Sequence, residues 1–399
     1  MPAESERGSA GLGPVAAGIV TAILPVFLLG SLSVQIRGDL GYGEATAGLV
    51  LAAFFGASAL VSARLGRWVD AVGSRRALVV ALCGTTAVQL AIAAWARGPL
   101  ALGLLAGAGG VCNATAQLGA NVFIATSLPL HRQGIGFAVK QSAMPGASLV
   151  AGLALPALGL TVGWRWAFVA AAALSATAVV VIRARLPEAP PAPRVDRRQA
   201  GTGAGEHVRP PRGLVPMAAA AALATAAAIT LGGFFVESAI DAGVAAGVAG
   251  LVFSTGSVVS IVVRLGVGAA ADRRSGDLLG VVAAMLALGA LTSVWFTWRQ
   301  PVPHLIGVPL AFGAGWAWPG LFNLSVVRAA PDFPGQATGI TQTGTYVGGA
   351  AGPIVFGGVA EATSFATAWW LAAALGLAAA GAVLVGRASL RRGRLQAVG

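Results

Sequence analysis

Runs of about 20 apolar residues recur along this chain, and they constrain its fold more than any other feature. Each run can cross about 30 Å of hydrocarbon as a helix. The runs lack the period-two alternation of membrane strands, so they predict helices. Only 10% of the residues are charged and 56% are hydrophobic, whereas soluble domains average about 25% charged residues. The sequence therefore predicts an all-α polytopic membrane protein.

Glycine, proline and charged residues divide the chain into twelve predicted spans. The spans cover approximately residues 12–34, 44–63, 76–96, 99–127, 134–160, 164–183, 214–236, 246–270, 277–298, 303–328, 335–360 and 363–386. A Pro-, Gly- and Arg-rich segment without helical periodicity separates the sixth span from the seventh. We therefore predict an N-terminal six-helix bundle over 1–183, a basic cytoplasmic linker over 184–213 and a C-terminal six-helix bundle over 214–399.

The distribution of arginine predicts the orientation in the membrane. With both termini in the cytoplasm, the arginines on the outer side are only Arg37, Arg97, Arg165 and Arg299. The positive-inside rule thus predicts a multi-pass protein of the plasma or inner membrane with both termini cytoplasmic. The net charge of +12 does not indicate nucleic acid, because the basic residues lie in short clusters between apolar runs. The lipid bilayer is the expected partner, and we expect a monomer.

The two halves of the chain share a motif at a fixed offset. Gly66-x-x-x-Asp70, in the loop after the second predicted span, recurs 202 residues later as Gly268-x-x-x-Asp272. The stretch that begins at Gly136 likewise aligns with one 203 residues later. This recurrence indicates parallel six-span halves related by an axis along the membrane normal, an architecture found among secondary transporters.

The loop after the second span resembles the signature loop of the major facilitator superfamily. The pattern is carried by Gly66, Asp70, Gly73, Arg75 and Arg76. Its partial second copy consists of Gly268, Asp272, Arg273 and Arg274. The resemblance covers essentially the whole chain and implies two helix bundles that give alternating access to a central cavity.

The signature loop also has a physical interpretation that is independent of the family. Asp70, near a helix end, can accept backbone N–H groups or pair with an arginine across the bundle interface. We expect such contacts to latch the inner side shut, with Arg264, one turn before Gly268, as a further partner. The alternative is that the arginines here only determine topology.

Lys140 is the only lysine of the chain, and it lies about six residues into the predicted fifth span. One interpretation is that it snorkels back to the lipid headgroups. The other is that it faces a water-filled cavity, where it holds an anionic substrate or exchanges a coupling proton. The matched position in the second half is Thr343, so the charge is asymmetric, which favours a functional site.

Polar and aromatic residues inside the spans supply the other candidates for a substrate site. Asn113, Gln117 and Asn121 follow one another at intervals of four residues and therefore share one helix face. They either form interhelical hydrogen bonds or line the cavity. The remaining candidates are Gln141, Trp316, Asn323, Gln342 and Tyr346.

Carboxylates are scarce in the predicted spans. Only Glu237 is positioned to enter the cavity from the outer side, although we expect it to be a solvated carboxylate at the membrane interface. Lys140 and Glu237 together motivate the hypothesis of proton coupling.

These observations predict a secondary active transporter for a small organic solute, with an anion favoured by Lys140. We expect neither a cofactor nor a metal. An efflux antiporter for drugs or hydrophobic compounds is the alternative, disfavoured for cations by the lack of carboxylates within the spans. A membrane-embedded receptor or enzyme is disfavoured because the sequence contains no metal-ligand cluster, nucleophile triad or phosphate-binding loop.

Overall fold

The computed structural model describes residues 2–128, 136, 139–186, 213–273, 278–329 and 334–398. In these ranges the chain is almost entirely helical and contains no strand. Up to residue 186 the helices are α1 (Pro2–Ser31), α2 (Ser33–Leu40), α3 (Glu44–Val72), α4 (Ser74–Trp95), α5 (Pro99–Ser127), α6 (Ala143–Ala154) and α7 (Trp164–Arg185). From residue 213 they are α8 (Leu214–Asp241), α9 (Ala246–Arg273), α10 (Leu278–Trp295), α11 (Pro301–Leu310), α12 (Pro319–Ala329), α13 (Pro334–Ala362) and α14 (Phe365–Val398).

Eleven helical segments in the described ranges are long and apolar enough to cross a membrane. α13 is not among them, because Gln, Thr and Gly residues in its first half lower its hydropathy. It is nevertheless 29 residues long and packs along α3 and α8, so it takes the place of the predicted eleventh span. The prediction of an all-α polytopic membrane protein is confirmed.

The connections between helices alternate between two faces of the bundle. We call the face at which α1 begins and α14 ends the terminal face, and the opposite one the distal face. The distal face carries the connections α2–α3, α4–α5, α6–α7, α8–α9, α10–α11 and α13–α14. Glycine makes sharp connections on both faces: Gly41 ends α2 in the left-handed conformation (φ 67°), and Gly73 joins α3 to α4 with φ 84°.

Three helix pairs join the two halves of the chain close to the distal face, and each pair approaches through glycine. A Cβ added to the first glycine of each pair would collide with the backbone of the partner helix. The pairs are α1 with α8 at Gly30 and Gly233, α3 with α13 at Gly48 and Pro353, and α6 with α9 at Gly152 and Gly250. Nearer the terminal face, Gly66 and Gly268 have open space where a Cβ would be. The halves are therefore closed against each other at the distal face.

A stripe of glycines brings α13 into backbone contact with α8. A Cβ on any of these glycines would collide with the backbone of α8. They recur every fourth residue and lie against alanines of the same spacing: Gly344, Gly348 and Gly352 against Ala218, Ala222 and Ala226. Small residues at this spacing let helix backbones pack closely within a membrane.

Candidate functional site

Lys140 lies in the short helical stretch just before α6, and its side chain is partly buried. Its Nζ donates a hydrogen bond of 2.7 Å to Oδ1 of Asn121 on α5. Both residues were candidates from the sequence, and the structure brings them together. The ammonium is thus bound by a neutral amide of the neighbouring helix.

Asn121 is one end of the polar stripe that the sequence predicts along α5. Gln117 is partly buried in the middle of the stripe, and Asn113, at its other end, is 5% exposed. Oδ1 of Asn113 has no hydrogen-bond partner among the described residues. Because a buried polar atom without a partner costs free energy, Asn113 offers an acceptor for a ligand or a water molecule.

Arg264 of α9 connects the two halves beside Lys140. Its Nη1 donates to the backbone carbonyl of Gln141 at 2.9 Å, and its Nη2 donates to the carbonyl of Trp316 at 2.5 Å. Its Nε lies 3.4 Å from Oγ of Ser260. Two of the described hydrogen bonds of Arg264 are therefore with candidate residues of the site, and one of them reaches the residue that follows Lys140. The expectation that Arg264 belongs to the latch of the signature loop stays a prediction, because the side chains of Asp70 and Asp272 lie outside the described set.

Trp316 occupies a break in a helix. α11 widens into a π-helical turn at Ala311–Gly315, and α12 begins only at Pro319, which lacks a backbone donor. The indole of Trp316 is 1% exposed and packs edge-on against Phe27, with the ring centroids 5.6 Å apart. Its Nε1 has no partner among the described residues. The break thus presents a buried N–H donor and a carbonyl that Arg264 binds.

The site carries two cations, Lys140 and Arg264. The salt bridges among the described residues all lie near the distal face: Arg37 with Glu44, Arg37 with Glu237, Arg165 with Asp39, and Arg299 with Asp241. No described carboxylate pairs with Lys140 or Arg264. The cluster formed by Asn121, Lys140, Gln141, Arg264 and Trp316, here called the two-cation site, therefore contains two cations and no described carboxylate.

The other sequence candidates make no described contact with Lys140. Gln342 is exposed on α13, and the hydroxyl of Tyr346, one turn further on, lies beside the side chains of Ser62 and Gln342. Asn323 is partly buried on α12. No hydrogen bond among the described residues joins any of these three to Lys140.

The signature loop is described only in part. Gly73 is buried, and Arg75 donates from Nη2 to the carbonyl of Arg183 at 2.6 Å, which ties the start of α4 to the end of α7. Arg76 is exposed. The side chains of three residues of the predicted latch lie outside the described set: Asp70, Asp272 and Arg273. The latch therefore stays a prediction.

Glu237 is not a solvated carboxylate, so that expectation is wrong. It is 4% exposed, forms an ion pair with Arg37 and accepts a hydrogen bond of 2.8 Å from Oγ of Ser33. Arg37 also pairs with Glu44 at 2.8 Å. The reason is that the short helix α2 lies against the end of α8 and covers the carboxylate. The ion pair joins the two halves at the distal face.

Two features of the distal face were not expected from the sequence. The first is the ion pair of Arg37, which the sequence pattern identifies only as a topology signal, although an arginine next to apolar spans needs a partner. The second feature is His304, in the first turn of α11, whose imidazole is buried between Oγ of Ser238 at 3.1 Å and the carbonyl of Gln300 at 3.0 Å. Trp369 donates to the same Ser238 hydroxyl at 2.7 Å.

A small pocket opens at the distal face beside the ion pair. It has a volume of about 260 Å³ and is lined by Val34, Arg37, Gly38, Tyr42 and Glu237. Burial raises the pKa of the Tyr42 phenol to about 12, and the nearby Arg37 guanidinium opposes part of that rise.

Solved structures of transporters share this fold. A bacterial homologue of the human lysosomal transporter Spinster, in an inward-facing and occupied conformation, is 15% identical (TM-score 0.70, covering 96% of this chain and 95% of that chain). A D-xylose–proton symporter is 14% identical (TM-score 0.74, covering 94% and 96%). The nucleoside transporter NupG, as a mutant, is 18% identical (TM-score 0.71, covering 94% and 99%). No curated protein matches the sequence.

Sequence identities this low show a shared fold but do not assign a family, whereas a family model does. The model of the Major Facilitator Superfamily matches residues 15–353, which is most of the chain and includes both copies of the signature loop. The match agrees with the resemblance carried by Gly66, Asp70 and Gly73. This chain belongs to the Major Facilitator Superfamily and is a multi-pass membrane protein of secondary active solute transport.

Proposed function

We propose that this transporter moves a small organic anion across the membrane and that Lys140 binds the anion. The observation that carries the proposal is the hydrogen bond between the Lys140 ammonium and the neutral Asn121 amide. A charge placed in a low-dielectric site is costly unless it is paired, and an amide leaves most of the positive charge uncompensated. A solute anion supplies the missing charge. Positive charge in the site also disfavours lipophilic cations as substrates.

In this proposal the two bundles, 1–183 and 214–399, move relative to each other about the site. This movement gives alternating access to the site from the two faces. The contacts that close the distal face support this proposal, because they lie between the bundles: the ion pair of Arg37 with Glu237 and the glycine contacts of α3 with α13. Opening the distal face requires these contacts to separate. With the arginine-rich terminal face in the cytoplasm, the distal face is the outer one.

We propose that protons couple to transport at Glu237. The carboxylate is buried, and its charge is what holds Arg37 across the interface. Protonation removes that charge and leaves only the hydrogen bond with Ser33, so the closed distal face loses its main electrostatic contact. A proton taken up from the distal side therefore favours opening toward that side. Transport that does not vary with pH on the distal side would contradict this coupling.

The anion proposal is tested by ligand-induced thermal stabilisation of the purified protein. The panel contains small organic anions, neutral solutes and lipophilic cations, and the variants are Lys140→Ala and the charge-conserving Lys140→Arg. A ligand at a hundredfold excess over its Kd adds about 2.7 kcal/mol of stability. We expect an anion to stabilise the wild type and Lys140→Arg but not Lys140→Ala. Equal stabilisation of all three proteins by cations or neutral solutes would overturn the proposal.

A further inference from the structure

We propose that the two-cation site binds a solute with two negative charges, one held by Lys140 and the other by Arg264. This inference rests on the proposed function and names the class of anion. It also gives Arg264, expected from the sequence to serve a latch, the role of a substrate ligand.

The two cations come from opposite halves of the chain and meet at one peptide. Arg264 Nη1 donates to the carbonyl of Gln141, the residue that follows Lys140. The guanidinium of α9 is thereby fixed one residue away from the base of the Lys140 side chain. One solute can contact both cations, provided that its charged groups are a few ångströms apart.

The described partners of both cations are neutral. Lys140 donates to an amide oxygen, and Arg264 donates to two backbone carbonyls and approaches one hydroxyl. A singly charged solute would compensate only one of the cations and leave the other partly buried and without a counter-charge among the described residues. A doubly charged solute compensates both, so the site favours it over an isostere with one charge.

Both cations keep hydrogen-bond donors that no described residue uses. An ammonium has three donors, and Asn121 takes one of those on Lys140. A guanidinium has five, and the three contacts of Arg264 leave two, which is what a carboxylate or phosphate accepts in the bidentate geometry. Trp316, whose carbonyl Arg264 binds, also carries an indole Nε1 that is buried and without a partner among the described residues.

Two solute chemistries carry such a charge pair, namely dicarboxylates and phosphate monoesters. The experiment measures affinity for matched pairs by calorimetry with the full-length protein in lipid nanodiscs. One arm compares dicarboxylates of three to six carbons with their monoamides, and the other compares glycerol phosphate and sugar phosphates with their methyl diesters, which carry one charge. The variants are Lys140→Gln and Arg264→Gln. Arg299→Gln, which changes an exposed arginine of the distal face, is the matched control.

We expect the wild type and Arg299→Gln to bind at least one doubly charged solute about tenfold or more tightly than its singly charged isostere. Lys140→Gln and Arg264→Gln should each bind the doubly charged solute and its singly charged isostere with similar affinity. Equal affinity of the wild type for both members, or unchanged discrimination in Arg264→Gln, would overturn the inference while leaving the anion proposal intact. If no anion of either charge binds, both the inference and the proposed function fail. If a variant does not fold, the affinities of the wild type for the doubly and the singly charged solute decide the inference on their own.

Discussion

The ion pair between Arg37 of α2 and Glu237 of α8 joins the two halves of the transporter at the distal face. Glu237→Gln keeps the shape of the side chain but removes the charge, so we expect the distal face to open more often. The measurement is the rate at which a thiol reagent labels an introduced cysteine, Ala47→Cys. Ala47 lies near the distal end of α3 and is 7% exposed. The background replaces both native cysteines. Removing one partner of a buried pair costs about 3–5 kcal/mol, so we expect labelling to accelerate by about tenfold or more.

Arg299→Ala is the control for this measurement. Arg299 and Asp241 form an exposed pair at 3.4 Å on the same face, but both belong to the second half of the chain. Loss of the Arg299–Asp241 pair should leave the labelling rate unchanged, because this pair does not connect the two halves. Equal rates for Glu237→Gln and the wild type would show that the ion pair does not hold the distal face closed.

Asn121 fixes the position of the Lys140 ammonium, and its replacement tests the site without removing the cation. Asn121→Asp places a carboxylate against the ammonium, so we expect anion binding to weaken by far more than in Asn121→Ala. The alanine variant loses one hydrogen bond to a charged group, which corresponds to about 1.5–3 kcal/mol, or roughly tenfold or more in affinity. Thr126→Asp, at an exposed position on the same helix, is the control. Wild-type affinity in Asn121→Asp would exclude Lys140 as the anion ligand.

The glycine stripe of α13 predicts a stability difference between two Gly→Ala variants of one helix. Gly348→Ala places a methyl group on the backbone of α8 at Ala222, so we expect a loss of about 1–3 kcal/mol. Gly358→Ala meets no atom within 4 Å and should be neutral or stabilising, because alanine has the higher helix propensity. Thermal unfolding in detergent measures both. Equal unfolding temperatures would mean that α13 and α8 do not pack through this stripe.

The burial of Tyr42 predicts an alkaline titration. In a Tyr346→Phe variant, Tyr42 is the only tyrosine, so the ultraviolet absorbance of the phenolate reports on it alone. We expect the midpoint near pH 12 in the folded protein and near the ordinary pKa of 10 after unfolding. Between these values the folded state retains a proton that the unfolded state has lost, so the free energy of unfolding falls as the pH rises through this window. A folded-state midpoint near 10 would contradict the burial of the phenol beside Arg37.

The membrane spans were predictable because their signal is local. Each apolar run is bounded by glycine, proline or charge, and the break before Pro319 follows from the missing backbone donor of proline. Lys140 and Asn121 could also be singled out, since polar groups are costly in a bilayer. Their pairing depends on the rotation of α5 relative to the start of α6, which the sequence pattern leaves open.

The contacts between the halves were not predictable from local patterns. Arg37 and Glu237 are 200 residues apart, and their ion pair depends on how the short helix α2 lies across the end of α8. The position of Glu237 at a helix end predicts a solvated carboxylate, because nothing in the local sequence indicates that α2 covers it. The position of Arg264 likewise depends on the packing of α6 against α9, which places a guanidinium one residue from the lone lysine.

The most direct test of the account is uptake of a stabilising anion by proteoliposomes that contain the wild type, Lys140→Arg or Lys140→Gln. We predict gradient-driven accumulation by the wild type, partial uptake by Lys140→Arg, and a loss of tenfold or more in Lys140→Gln, because only the last lacks the positive charge. Wild-type uptake by a correctly folded Lys140→Gln protein would contradict the central claim that this lysine binds the transported anion.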